Sequence, residues 1–540
     1  MTVIRALSAV ALLSVTGLLF GATFTVTSNA EAGSGTLKQA ILDANAAPGR
    51  DEIRFVVLHA TIEPGGLPPI TDAVDIDGML GDGSRVLVEM PAPLDVTGGF
   101  KFHLGSSTST LRNVMTGAIP NAALEIDAGV FDLTVANNRF GGNVNVLGSD
   151  NVLEANSLSA GSLRVFISGL NNLLGLNTVP LIVLDAPAAS NEIGRFDYGN
   201  SIGRLIAPGS NLTVAYNSFT GSAANPAIDI TGSLFPEGAI SHNTISGYAA
   251  GVRITNATHC QIERNSIFST GIPIDLGADG PTPNDPSPDA DTGANNLQNY
   301  PVLTSATLAG GVLTVAGTLT STPLTSYTVE LFADTADDPE ARTFLGSFVV
   351  TTDATGAGAF NQSTAPLAMA DEVITSTAIS HTSGDTSEVS AAVAVDAPGT
   401  LALSATTYTV NESDGTIAIT VNRTDGSERT VTVQYSTLDS DAIAPKDYTT
   451  TFGTLTFGPG VTSQTFNIPI VADAVPEGEE RFLVLLGHPT GGAVVFGSDD
   501  MATIVIASHL PGHAIPTASI WALLLLTAAL ATVAFHRITK

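Results

Sequence analysis

Between residues 55 and 275 an asparagine, a small or polar residue and an apolar residue return in that order. The triplets are Asn113-Val114-Met115, Asn138-Arg139-Phe140, Asn156-Ser157-Leu158, Asn177-Thr178-Val179, Asn200-Ser201-Ile202, Asn217-Ser218-Phe219, Asn243-Thr244-Ile245 and Asn265-Ser266-Ile267. Their spacings run from 17 to 26 residues, with a mean near 22. A period of this size, with short apolar runs between Gly/Asn turns, predicts a solenoid of three short strands per rung, a parallel β-helix. Asparagines stacked at one turn of every rung can bond amide to amide along the stack, and they tolerate left-handed backbone.

The pattern differs on either side. In 35–45, Leu37, Ala40, Ile41 and Ala44 recur at i, i+3, i+4 and i+7, which predicts one amphipathic helix. At this place it would cover the open end of the strand stack. From Pro301 the sequence alternates apolar and polar with turns every 8–12 residues, which predicts an antiparallel β-sandwich over 300–396. A second alternating domain spans 398–507, and between solenoid and sandwich lies a Pro/Gly/Asp-rich connector, 276–299. At the ends, Arg5 and the apolar run that follows read as a signal peptide over 1–22. About 18 uncharged residues from Ala518, with basic residues after them, read as a transmembrane helix within 515–540. The body is then exported and stands at a cell surface, tethered to the membrane.

Composition narrows the partners. Asp+Glu number 51 against 20 Lys+Arg, a formal net charge of −31, which argues against nucleic acid or an anionic lipid surface. The 44% hydrophobic content excludes a disordered polyanion, and the single cysteine, Cys260, excludes a disulfide framework or Cys-based zinc site. In the connector, Asp285, Asp289 and Asp291 offer hard oxygen ligands, a candidate second metal site for calcium.

Four resemblances add to this. Residues 35–53, with Pro48-Gly49-Arg50-Asp51-Glu52-Ile53 behind the helix, look like the CSLREA-type start of secreted β-helix proteins, without the usual Cys. The 22-residue repeat resembles right-handed parallel β-helix domains. Ile515-Pro516-Thr517-Ala518-Ser519-Ile520-Trp521 is similar to the IPTL-type C-terminal sorting signal of Gram-negative surface proteins, with Ala518 where Leu is expected. That likeness implies an exosortase-like processing enzyme as partner, with Ile515, Pro516, Thr517, Ser519 and Trp521 as the signal. The domain at 398–507 resembles Calx-β through Tyr408-Thr409-Val410-Asn411-Glu412, Asp447-Tyr448, Gly453-Thr454-Leu455-Thr456-Phe457, Ile468-Pro469-Ile470-Val471-Ala472-Asp473 and Pro476-Glu477-Gly478-Glu479-Glu480-Arg481-Phe482. The resemblance implies calcium held by Glu412, Asp447, Asp473, Glu477 and Glu480. It also marks Ala472 as a departure, because the family has a second Asp there. The sandwich at 300–396 reads as Ig-like.

An enzyme on the solenoid, a polysaccharide lyase or glycosidase, would need two or three carboxylates on neighbouring rungs, or a base with metal-binding carboxylates. Asp75 and Asp77 form the best pair, and turn capping is their expected role. The one tryptophan, Trp521, lies in the anchor, so the body has no indole to stack on sugars. His259 beside Cys260 reads as a packed rung residue. The chain is therefore expected to be an all-β surface protein without turnover: a β-helix, an Ig-like sandwich and a calcium-binding Calx-β stalk. Its role would be adhesion to an unidentified surface glycan or protein, or as passive matrix.

Overall fold

The helix Leu37–Ala46 starts where the Thr36 side chain accepts the Gln39 N–H and turns its stripe of Leu37, Ala40, Ile41 and Ala44 into the core. The computed structural model describes residues 20–507 except 62–65, 90–98, 159–163, 186–189, 198, 208–210, 232–237, 287, 310–311, 365–371, 428, 474–477 and 496–499. The leader up to residue 19, the sorting signal with Ile515, Pro516, Thr517, Ser519 and Trp521, and the expected transmembrane helix lie outside the described residues. Among the described residues no helix is long and apolar enough to cross a membrane. The first strand, Phe20–Val26, begins inside the segment expected to be leader, because Phe20 pairs with Arg50 and the Ala22 N–H reaches Asp51 Oδ1 at 2.6 Å.

From there to Leu276 parallel strands stack rung upon rung, as a β-helix requires. One face is an eleven-strand parallel sheet running from Phe20–Val26 to Gln261–Glu263. The other two faces join in a fifteen-strand sheet, because strands such as Ser218–Thr231 and Thr244–Thr255 run through the corner between them. Register places like on like. Val135, Leu153, Leu174, Ile193, Val214, Ile240 and Ile262 sit one above another, each 3% exposed or less. Each buried aliphatic side chain of this stack contributes roughly 1.5–3 kcal/mol.

The corner after this face carries the asparagine ladder. Asn156 is typical: its Nδ2 donates to Asn177 Oδ1 on the next rung and to the Val135 carbonyl on the previous one. Its own Oδ1 accepts the backbone N–H and Nδ2 of Asn138. The same bonds link Asn177, Asn200, Asn217, Asn243 and Asn265, so every side-chain amide hydrogen and lone pair inside the ladder has a partner. Asn113 does not join. Arg112 pairs with Ala136, so it is Val114 that aligns with Asn138 and gives that residue its N–H, while Asn113 bonds Asn137 and Asp77. The left-handed residue is also not the ladder asparagine but the one before it: Ala155, Leu176, Tyr216, His242 and Arg264 have φ between 52° and 60°. A second ladder, Asn151–Asn172–Asn191, runs along another corner.

The next seven strands hydrogen-bond in one continuous path, in the order Thr343–Thr351, Ser326–Thr335, Glu372–Ser380, Val393–Asp396, Val302–Ala309, Val312–Thr320, Ala357–Thr364. Residues up to Val395, save Leu308–Gly311, cluster as one compact unit, and those from Asp396 as another. The second unit holds a four-stranded and a five-stranded sheet over a core in which Tyr448 stacks on Phe482 at 3.9 Å.

Candidate metal centre

In the second unit four carboxylates come together because four chain segments end at one place. The strand Thr407–Asn411 stops in a short 3-10 turn, Glu412–Asp414, closed by a capping box: Asn411 accepts from the Asp414 backbone and Asp414 from the Asn411 N–H. Glu412 is thereby turned inward, 8% exposed, and its Oε1 accepts the Asp473 N–H at 2.7 Å. Asp447 is fixed from both sides. Its Oδ2 accepts the Ile443 N–H at 2.7 Å, and its carbonyl accepts the Val471 N–H at 3.0 Å. The neighbouring Tyr448 is buried and donates its hydroxyl to Asp439 Oδ1 at 2.6 Å, which holds the Asp439 carboxyl below its usual range. Glu480 opens the strand Glu480–Thr490, opposite Ile506.

Glu412, Asp447, Asp473 and Glu480 line one small cleft, together with Lys446 and Gly478. Its volume is about 10 Å³, the room that one water molecule or a bare cation takes. Glu477, the fifth residue expected here, lies in 474–477, outside the described residues. Lys446 is a lining residue that sequence reasoning missed. Its position beside Asp447 was the available signal. The donor set suits a hard cation such as calcium: carboxylate oxygens only, with backbone N–H groups orienting two of them.

In the connector, Asp285, Asp289 and Asp291 each place a carboxylate oxygen within 4.8 Å of the others, all half-buried. Asp285 Oδ1 accepts Asn299 Nδ2, while Asp289 Oδ2 accepts from Gln298 and Ser321. The Oδ1 atoms of Asp289 and Asp291 are buried without a hydrogen-bond partner. Burial pushes the Asp289 carboxyl up to about 6, the Ser321 bond opposes this, and Asp285 adds to it by charge repulsion. Asp275, at the start of this acidic stretch, is instead a strand residue of the last rung, bonded to Arg253 Nε at 2.9 Å.

The residues weighed for catalysis are engaged elsewhere. Asp75 pairs with Arg50, and Asp77 with Arg112 and Asn113. Asp77 also caps a turn through the Met79 N–H. Cys260 is 2% exposed; burial, with the charge of Asp385, pushes its thiol up to about 12, far from a reactive thiolate.

Comparison with known proteins identifies part of the second unit. Residues 395–509 match the Calx-beta domain, so this part of the chain is identified as such a domain. Sodium/calcium exchanger 1 of Mus musculus is 40% identical over 83 residues, 15% of this chain and 9% of the exchanger. The sodium/calcium exchanger Calx of Drosophila melanogaster is 35% identical over 99 residues, 18% of this chain and 10% of the exchanger. The solved apo-form Calx CBD1 domain is 32% identical, covering 20% of this chain and 94% of its own, with a TM-score of 0.19. The chain thus spans about a tenth of the length of the curated relatives it matches.

Proposed function

We propose that this chain is an exported, membrane-tethered cell-surface protein whose Calx-beta domain binds calcium, acting in adhesion or surface structure without turnover. The observation that carries the calcium reading is the convergence of Glu412, Asp447, Asp473 and Glu480 on a cleft of cation size. The resemblance implies Glu477 as a further ligand. Like charges so close oppose one another, and a divalent cation removes that opposition. Bound calcium would join the turn at Glu412, the loop at Asp447 and the strand start at Glu480, and so stiffen that end of the domain as a stalk needs. Asp285, Asp289 and Asp291 are proposed as a second, weaker calcium position. The leader and the anchor expected from the sequence support export and tethering, and the likeness to an IPTL-type signal supports processing by an exosortase-like enzyme. The ligand on the solenoid side is a surface glycan or protein.

The test is calorimetric melting of residues 20–507 in millimolar calcium and in chelator. At free calcium ~100 times the dissociation constant, binding adds ~2.7 kcal/mol, which raises the transition of the Calx-beta domain by roughly 10 °C. Asp473→Ala with Glu480→Ala should abolish the response. Superimposable melts with and without calcium would end the calcium reading.

A further inference from the structure

A parallel strand stack ends on a rung that has no successor, so its outward N–H groups need other acceptors. The last rung here consists of Gln261–Glu263, Ser266–Phe268 and Ile272–Leu276. Its donors end on Glu330 of the seven-stranded sheet and on side chains of the loops that join that sheet's strands. The Arg264 N–H reaches Glu330 Oε2 at 2.9 Å, and the Ser269 N–H reaches Asp338 Oδ2 at 2.9 Å. Thr270 gives its N–H to both Glu340 oxygens at 2.9 and 3.1 Å and its hydroxyl to Oε1 at 2.6 Å. The Leu276 N–H reaches Glu388 Oε1 at 3.0 Å, and the other Glu388 oxygen takes the Thr282 N–H. Ile262 donates to Thr386 Oγ1, and His259 to Asp385 Oδ1. Between these, Ile267 and Ala341 exchange both backbone bonds, and Phe332 and Ala341 enter the apolar core of the solenoid itself.

Carboxylates on the strands and loops of a sheet ordinarily face water, yet Glu330, Glu340 and Glu388 are 1–4% exposed. What they face instead is mostly backbone and other acids. Glu330 looks onto Arg264 and Glu263. Glu340 looks onto Asp338 and Asp334, with Arg342 already held by Asp334. Glu388 looks onto Asp275 and Asp279, with Arg253 already held by Asp275. All three place carboxylate oxygens on backbone N–H groups at the end of the stack.

We propose that the seven-stranded sheet is the terminal cap of the solenoid, closing it by a clamp of buried carboxylates that stand in for the missing strand. Protons tune this clamp. Burial pushes Glu330 up to about 7 and raises Glu340 and Glu388 above their usual range. Glu340 and Glu388 accept through both oxygens and so clamp as carboxylates, whereas Glu330 accepts through Oε2 and can carry a proton on Oε1. The closed state therefore gains from that proton below the ordinary glutamate range and loses the gain as pH rises through about 7.

Hydrogen exchange of the full chain, read amide by amide, tests the proposal. In the wild type the amides of Arg264, Thr270 and Leu276 should be protected. In Glu340→Ala/Glu388→Ala those of Thr270 and Leu276 should exchange at least about tenfold faster, while amides of central rungs such as Leu174 and Val214 keep their rates as a control for folding. The wild type alone gives a second test: relative to the central rungs, protection of the last rung should fall between pH 6 and pH 8. Last-rung amides as unprotected as a loop in the wild type, or unmoved both by the substitutions and by pH, would overturn the clamp.

Discussion

The solenoid corner and the Calx-beta cleft solve the same problem, polar side chains gathered out of water, in opposite ways. Along the corner, seven asparagines from Asn138 to Asn265 carry both donors and acceptors, so each completes its neighbours together with the strand backbone. In the cleft, Glu412, Asp447, Asp473 and Glu480 carry acceptors only, and the backbone supplies few hydrogens. Amides make a self-sufficient structure; carboxylates make one that suits a cation. One is architecture and the other is a site.

The sharpest way to break this contrast is to interrupt the ladder. Asn177→Ala removes an amide bonded to Asn156, Asn200 and the Leu153 carbonyl and leaves buried partners unmatched. It should cost about 4 kcal/mol in urea unfolding, whereas Asn113→Ala, outside the ladder, should cost about 2 kcal/mol, part of it from placing Ala at a φ of 59°. A ladder variant as stable as the wild type would show that stacked apolar contacts, not the amides, hold the corner.

In the cleft, Ala472→Asp restores a carboxylate that the Calx-β likeness leads one to expect. Calcium affinity by titration calorimetry should rise about tenfold, near 1.4 kcal/mol. An unchanged affinity would place residue 472 away from the ion. The connector cluster should also respond to pH. Asp289 loses its proton only near pH 6, and a cation needs the ionised form, so calcium binding at the connector should weaken about tenfold from pH 7 to 5. Calcium binding in Asp473→Ala/Glu480→Ala, which isolates the connector, reads this directly; no residual binding at pH 7 would remove the connector as a site. The smallest effect belongs to the other end of the solenoid: Thr36→Ala loses the Gln39 cap and should lower stability by about 1 kcal/mol, measured by thermal unfolding.

Much of this was legible in the sequence. The period of about 22 predicted parallel rungs, and the i, i+3, i+4, i+7 stripe named the four residues that the helix buries. Spacing could not set the register to one residue, however. Asn113 lies one position short of the ladder, and only strand pairing reveals it. The second ladder was missed because three rungs are too few to stand out as a period. The clamp was invisible for a different reason. Glu330 within Tyr327-Thr328-Val329-Glu330-Leu331-Phe332 reads as an ordinary polar position of an alternating strand, and no local pattern reports that a rung's end lies against it. In the cleft, the family motifs pointed at the carboxylates, but the inward turn of Glu412 depends on a capping box that only the fold displays.

The asparagine ladder has one more consequence, for how such a molecule can change length. Its first member accepts from the backbone of Val114, and its last turns Nδ2 back to the carbonyls of Ile240 and Glu263, so both ends are finished. Every interior member, by contrast, presents the same two faces to its neighbours. A duplicated stretch of one period can therefore slip into the middle and be joined without altering any other residue, while the same duplication at either terminus would strand a finished end inside the stack. Growth and shrinkage of this protein over its history should accordingly be found in its central rungs, like beads added to a closed necklace away from the clasp.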